Sequence, residues 1–80
     1  MKVRFYGRLG ERIGRETDVD MPQSCTVADL RQRLAITVPM AADELTRPGL
    51  RACVDDTVVT EDHVIRGADS VEFFPPLSGG

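Results

Sequence analysis

The residues best suited to chemistry are Pro75-Pro76-Leu77-Ser78-Gly79-Gly80, a stiff dipeptide leading through small residues to a carboxylate with no side chain beside it. Proline fixes φ and lacks an amide donor, so Pro75-Pro76 should end sheet pairing and project the chain in an extended, polyproline-like form. At about 3.3 Å per residue the six residues reach roughly 20 Å, enough to enter a pocket well below a partner's surface. Gly79 and Gly80 carry no β-carbon, so a channel barely wider than the backbone admits them. The expectation is that the chain ends at its working atom, the Gly80 carboxylate. Such a group is a poor electrophile, because its charge resists attack and oxide does not leave. An acyl-adenylate supplies a leaving group, which a sulfur nucleophile can replace to leave an acyl-sulfur species.

Nothing else in the chain is expected to perform that activation. There is no G-x-x-x-x-G-K-[ST] phosphate loop. His63 is the only histidine, reads as a surface residue after Glu61-Asp62, and has no second histidine with which to hold a metal. Cys25 and Cys53 are too few for a disulfide framework or a zinc site and read as structural. No bound cofactor or metal is expected, and the activating machinery is assigned to another protein.

Composition narrows the partners further. Net charge is -3, with Arg4, Arg8, Arg12 and Arg15 in the first fifth and Asp55, Asp56, Glu61, Asp62, Asp69 and Glu72 in the final third. A pI near 5.0 with one tyrosine and no tryptophan offers nucleic acid neither a basic face nor stacking platforms. No apolar run approaches the roughly 20 residues that span a bilayer, and MKVRFYG opens a strand pattern instead of a signal peptide. One cytoplasmic domain without membrane or nucleic-acid partners is the expectation.

The elements that must position the tail follow from periodicity. Lys2–Tyr6 alternates as a half-buried strand, and Glu16–Met21 alternates as a second that pairs with it antiparallel. Between them, Leu9 and Ile13 suggest a turn of helix bracketed by glycines. Pro22-Gln23-Ser24 reads as a break, and Thr26-Val27-Ala28-Asp29 resembles a capping box. Val27, Leu30 and Leu34 then form one apolar stripe, with Arg31, Gln32 and Arg33 expected to point elsewhere. The stretch from Ile36 to Gly49 is weakly patterned, with a short helical turn over Met40–Leu45. Leu50–Val54 is a third strand, Asp55-Asp56 a turn and Thr57–Thr60 a short fourth strand. Val64 and Ile65 should cap the core before Ser70–Phe74 forms the last strand. The predicted fold is α+β, with one helix covering one sheet face and Tyr6 and Phe74 on the other. Residues 1–74 form the domain and 75–80 the tail.

With these residues in view, the sequence resembles the small, sulfur-carrying subunit of molybdopterin synthase, a ubiquitin-like β-grasp protein. The resemblance rests chiefly on Phe73-Phe74-Pro75-Pro76-Leu77-Ser78-Gly79-Gly80. It extends to the opening Lys2-Val3-Arg4-Phe5-Tyr6 strand, to the helix start at Thr26-Val27 with Leu30-Arg31, and to Val54-Asp55. It implies a mixed sheet with one main helix on one face. It also implies that a separate ubiquitin-activating-like adenylyltransferase uses ATP to adenylate Gly80, which is then converted to a thiocarboxylate. The large subunit of molybdopterin synthase would admit the tail and pass its sulfur to cyclic pyranopterin monophosphate. Tyr6, Val58 and Phe74 match positions of hydrophobic partner contact. Two departures stand out: Gly67-Ala68-Asp69-Ser70-Val71 replaces the usual Gly-Asp-Glu-Val, and Asp55 replaces a common asparagine.

Three other readings share much of this pattern. The same acyl chemistry could serve another sulfur pathway, such as thiamin thiazole or cysteine. A protein modifier would instead join Gly80 to lysine through an isopeptide bond. An interaction domain with an inert end would do neither.

Overall fold

The computed structural model describes residues 1–47 and 49–75. In chain order these residues form β1 (Lys2–Phe5), α1 (Arg8–Ile13), β2 (Glu16–Asp18), β3 (Ser24–Thr26) and α2 (Val27–Thr37). A 3-10 turn (Pro39–Ala41), α3 (Ala42–Leu45), β4 (Arg51–Val54), β5 (Thr57–Val59), β6 (Val64–Arg66) and β7 (Val71–Phe74) follow. Five strands make one mixed sheet in the order β2-β1-β7-β4-β5. The first and last of the seven strands are parallel neighbours, with Val3 opposite Val71 and Phe5 opposite Phe73, and the other pairings in this sheet are antiparallel. With α2 laid on one face, this is the ubiquitin-like β-grasp.

Period-2 alternation builds the core. Val3, Phe5, Ala52, Val54, Val71 and Phe73 face inward, each less than a tenth exposed, and meet Val27, Leu30 and Leu34 from the stripe of α2. Phe5 and Phe73 stack with ring centroids 5.9 Å apart. Burying each ring is worth about 1.5–3 kcal/mol, so β1 and β7 are fixed to each other through side chains as well as the ladder.

The start and stop of α2 have local causes. Thr26 accepts the Asp29 amide on its hydroxyl at 3.1 Å and donates its own amide to Asp29 Oδ2 at 3.2 Å, a reciprocal cap that contributes about 1 kcal/mol. Pro39 follows the last turn and turns the preceding residue away from helical ψ. At the β4–β5 hairpin, Asp55 and Asp56 both have positive φ, 49° and 68°, the requirement of a two-residue hairpin turn that matches strand twist. Asp55 also accepts the Ser70 amide on Oδ1 at 3.1 Å, tying the hairpin to the entrance of β7.

Several expectations are corrected. β3 and β6 form a separate two-stranded antiparallel sheet, Cys25 opposite Ile65, where a break and a cap were read. Within it, Ile65 is buried but Val64 is 48% exposed, because alternation turns it outward. β2 ends at Asp18, short of Met21, and its edge continues only through mutual backbone bonds between Met1 and Val19. His63 is half-buried, and its carbonyl accepts the Val27 amide at 3.1 Å.

The largest correction concerns Arg31. Expected to point away from the core, it is 8% exposed. Its guanidinium donates to the carbonyl oxygens of Leu45 and Leu50 and pairs with Glu61 at 2.7 Å. The group also sits 5.5 Å above the Phe73 ring. It satisfies backbone acceptors in the α3–β4 connection that water cannot reach.

Candidate functional site

β7 is the central strand of the sheet, held by β1 on one side and β4 on the other. Whatever follows Phe74 therefore leaves from the most tightly held strand of the molecule. Pro75, which has no amide to donate, stands outside the ladder. Pro76, Leu77, Ser78, Gly79 and Gly80, the remaining tail residues singled out from sequence, lie outside the described residues.

The face of the sheet opposite α2 carries the other candidates. Its register places Val58, Cys53, Glu72, Arg4 and Glu16 in one row across β5, β4, β7, β1 and β2. Tyr6 and Phe74, each two residues beyond a member of that row, share the same face. Their rings stack with centroids 4.6 Å apart and planes 1° from parallel. Tyr6 remains 40% exposed and Phe74 half-buried. The Tyr6 hydroxyl donates to Glu72 Oε2 at 2.7 Å, and this bond, with some desolvation and the negative charge of Glu72, pushes the phenol above its ordinary pKa. The stack is thus pinned at its rim by β7 itself.

The structure brings Tyr6 and Phe74 together but keeps Val58 apart. Val58 is 59% exposed on the edge strand β5, two strand spacings or about 10 Å from β7. The resulting surface is an aromatic pair at the tail's root and a lone apolar side chain at the sheet's edge. Between them Cys53, 9% exposed, is covered by its neighbours. The ion pairs on this face, Arg4 and Lys2 with Glu16 at 3.2 and 3.7 Å, are exposed and worth little.

No nucleophile–base pair is assembled among the described residues. The thiols of Cys25 and Cys53 are free and buried, and burial pushes both above the ordinary thiol pKa, which suppresses the reactive thiolate. A cleft of about 710 Å³ between β1 and α1 is lined by Arg4, Tyr6, Gly7, Glu11, Arg15 and Glu16 among others, with neither cysteine nor histidine. Among the described residues no three His, Cys, Asp or Glu side chains gather to hold a metal ion, and no helix is long and apolar enough to cross a membrane.

Sequence reasoning missed two contributors to this surface. Glu72 is visible in sequence only as an outward acidic residue; that it meets Tyr6 requires the parallel β1–β7 register. Gly7 follows the strand directly, which hints at a turn, but its contact with Pro75 spans 68 positions of sequence. Both depend on the pairing of the chain's two ends.

Comparison with known proteins adds four observations. The family model described as the ThiS family matches residues 3–80. The molybdopterin synthase sulfur carrier subunit of Escherichia coli (strain K12) is 35% identical over 80 residues, covering 100% of this chain and 99% of that one. Among solved structures, a putative molybdopterin converting factor, subunit 1, from Pyrococcus furiosus superposes with a TM-score of 0.81 at 23% identity, over 95% of each chain. Small archaeal modifier protein 1 of Haloferax volcanii superposes with a TM-score of 0.79 at 20% identity, again over 95% of each. At these identities the two structures speak to the fold alone.

Proposed function

Because the chain belongs to the ThiS family, we propose that it is a sulfur carrier, and specifically the sulfur-donating subunit of molybdopterin synthase, with no catalytic activity of its own. The full-length likeness to a subunit of that name supports the reading. The observation that carries it is the setting of the tail: the central strand ends in Phe74, stacked on the exposed Tyr6 ring, with Pro75 next in the chain, and the following sequence closes on two glycines.

The reading requires Gly80 to be the terminal residue of the working protein. Its carboxylate attacks the α-phosphorus of ATP in an adenylyltransferase partner, releasing pyrophosphate and leaving an acyl-adenylate. A sulfide-level sulfur nucleophile then attacks the acyl carbon and displaces AMP, and the product is a thiocarboxylate. In the large subunit the thiocarboxylate sulfur bonds to a side-chain carbon of cyclic pyranopterin monophosphate as a carbon–oxygen bond at that carbon breaks; water then cleaves the resulting thioester between acyl carbon and sulfur, which leaves the sulfur on the pterin and releases the Gly80 carboxylate for another round. Two such transfers make a dithiolene. This chain's share is to supply the acyl group, thread it through a narrow passage and dock beside it.

Intact-mass measurement after incubation with a cognate activating enzyme, ATP and a sulfur donor is expected to show one carboxylate oxygen replaced by sulfur. Lysine-linked conjugates without that species would overturn the carrier reading in favour of a modifier.

Docking gives an independent expectation. Phe74→Ala removes half of an exposed aromatic stack from the tail's root, and loss of such an anchor costs about 2 kcal/mol or more of binding. Titration calorimetry against the large subunit should therefore show affinity weakened by about thirtyfold, while loss of the half-buried stack lowers the thermal midpoint of the free carrier by no more than about 12 °C. A large fall in the midpoint with intact affinity would mean that the ring serves the fold instead.

A further inference from the structure

We propose that Gly7 is a positioning residue for the tail: its bare α-carbon forms the seat on which Pro75 rests, and so sets the direction in which residues 76–80 leave the domain. Gly7, the residue directly before α1, has φ 65° and ψ -142°, a combination that residues with a β-carbon rarely adopt. A β-carbon built there would lie 2.7 Å from Pro75 Cγ and 3.3 Å from Cδ. The first distance is far inside van der Waals contact. The proline ring therefore occupies the space that a side chain at position 7 would take.

The neighbourhood shows why the contact controls direction. Tyr6 donates its amide to the Phe73 carbonyl at 3.1 Å, extending the β1–β7 pairing to the last residue before the glycine. Immediately beyond, the Gly7 carbonyl accepts the Gly10 and Glu11 amides, which anchors the turn to α1. Gly10 in turn is packed so closely that an added β-carbon would stand 2.9 Å from the Phe5 carbonyl oxygen. The seat thus belongs to a rigid corner formed by β1 and α1. Proline has one free backbone dihedral, ψ, so a ring held against that corner leaves the following residues little choice of exit direction. Gly7 touches neither the carboxylate nor any reacting atom, and acts only through Pro75.

The activity arm of the test rests on the sulfur-carrier reading; the spectroscopic arm does not. In the unaltered full chain, a nuclear Overhauser contact between the Gly7 α-protons and the Pro75 γ-protons is expected, and its absence overturns the proposal. Gly7→Ala should raise the carrier concentration that half-saturates the activating enzyme about tenfold, equivalent to about 1.4 kcal/mol. The maximal rate should stay within about twofold, since the acyl chemistry is untouched. In a Pro75→Ala background the colliding Cγ and Cδ are gone and the nearest remaining contact is ordinary, at 3.9 Å. There the same substitution should cost no more than about threefold, a coupling that a double-mutant cycle reads directly. Equal losses in both backgrounds would assign Gly7 to the turn alone and overturn the proposal.

Gly7→Asn provides a second route should Gly7→Ala fold poorly, because asparagine tolerates positive φ better while still carrying the offending β-carbon. It should reproduce the rise in half-saturating concentration with a smaller fall in melting temperature; normal half-saturation in folded Gly7→Asn would overturn the seat. If the unaltered chain forms no thiocarboxylate, the sulfur-carrier reading fails, and the Overhauser contact alone decides the seat.

Discussion

Removing Gly80 is expected to lower sulfur transfer by at least about a hundredfold while leaving the unfolding transition where it was. Deletion shortens the reach by one residue, about 3.3 Å or more, and a misplacement of only 1 Å can cost about a hundredfold in rate. The new terminal carboxylate has the same intrinsic chemistry but no longer reaches the atoms that activate it. Stability should not respond, since the core cluster of the described residues runs from Val3 to Phe73. Two measurements check this: thiocarboxylate yield by intact mass with the activating enzyme, and the thermal midpoint by circular dichroism. Retained transfer would sink the proposed function outright. Reduced transfer accompanied by a lowered midpoint would instead show that the tail contributes to the fold. A complementary variant, extended beyond Gly80 and shown to stay unprocessed, should be equally inactive because it has no carboxylate at the working position.

That contrast between tail and domain mirrors what could be learned from sequence. Tyr6 and Phe74 were legible as outward residues because a strand's side chains alternate strictly, and the alternation of both parent strands is clean. The cap of α2 was legible because Thr26 and Asp29 lie three residues apart and their bonds are local. β3 and β6 were not, since each has three residues and their pairing joins Ser24 to Arg66 across the length of α2, α3 and a hairpin. Local patterning carries no trace of a partner so distant. The seat of Pro75 on Gly7 was hidden for the same reason, and glycine composition alone could not distinguish it from Gly14, where an added β-carbon meets nothing within 4 Å.

Arg31 was missed for a different reason. Val27, Leu30, Arg31 and Leu34 follow the i, i+3, i+4, i+7 spacing of a buried helix face, so geometry assigned Arg31 inward while its charge argued outward. Charge lost because the interior offered acceptors. The α3–β4 connection turns its Leu45 and Leu50 carbonyls toward α2, and a planar guanidinium can serve both and still reach Glu61. A buried arginine on an apolar stripe is thus a sign that a nearby connection lacks partners for its own backbone.

Its replacement should be the most damaging single change to stability considered for this chain. Arg31→Met keeps much of the apolar stem but strands two carbonyl oxygens, at about 1–3 kcal/mol each. Loss of the cation above Phe73 adds roughly 1 kcal/mol. The Glu61 pair contributes less, about 0–1 kcal/mol, because Glu61 is 54% exposed and screened by solvent. The total, about 3–8 kcal/mol, stands against roughly 4–12 kcal/mol for a whole domain of this size. For such a domain each kcal/mol moves the midpoint by about 4–8 °C, so a fall of at least about 12 °C is expected. Urea unfolding of three variants separates the causes. Arg31→Met should lose most, and Arg31→Lys should recover less than half, since an ammonium lacks the fork that meets both carbonyls. Glu61→Gln should stay within about 1 kcal/mol of the unaltered chain. If Glu61→Gln proved as costly as Arg31→Met, the ion pair and not the carbonyls would be what anchors Arg31.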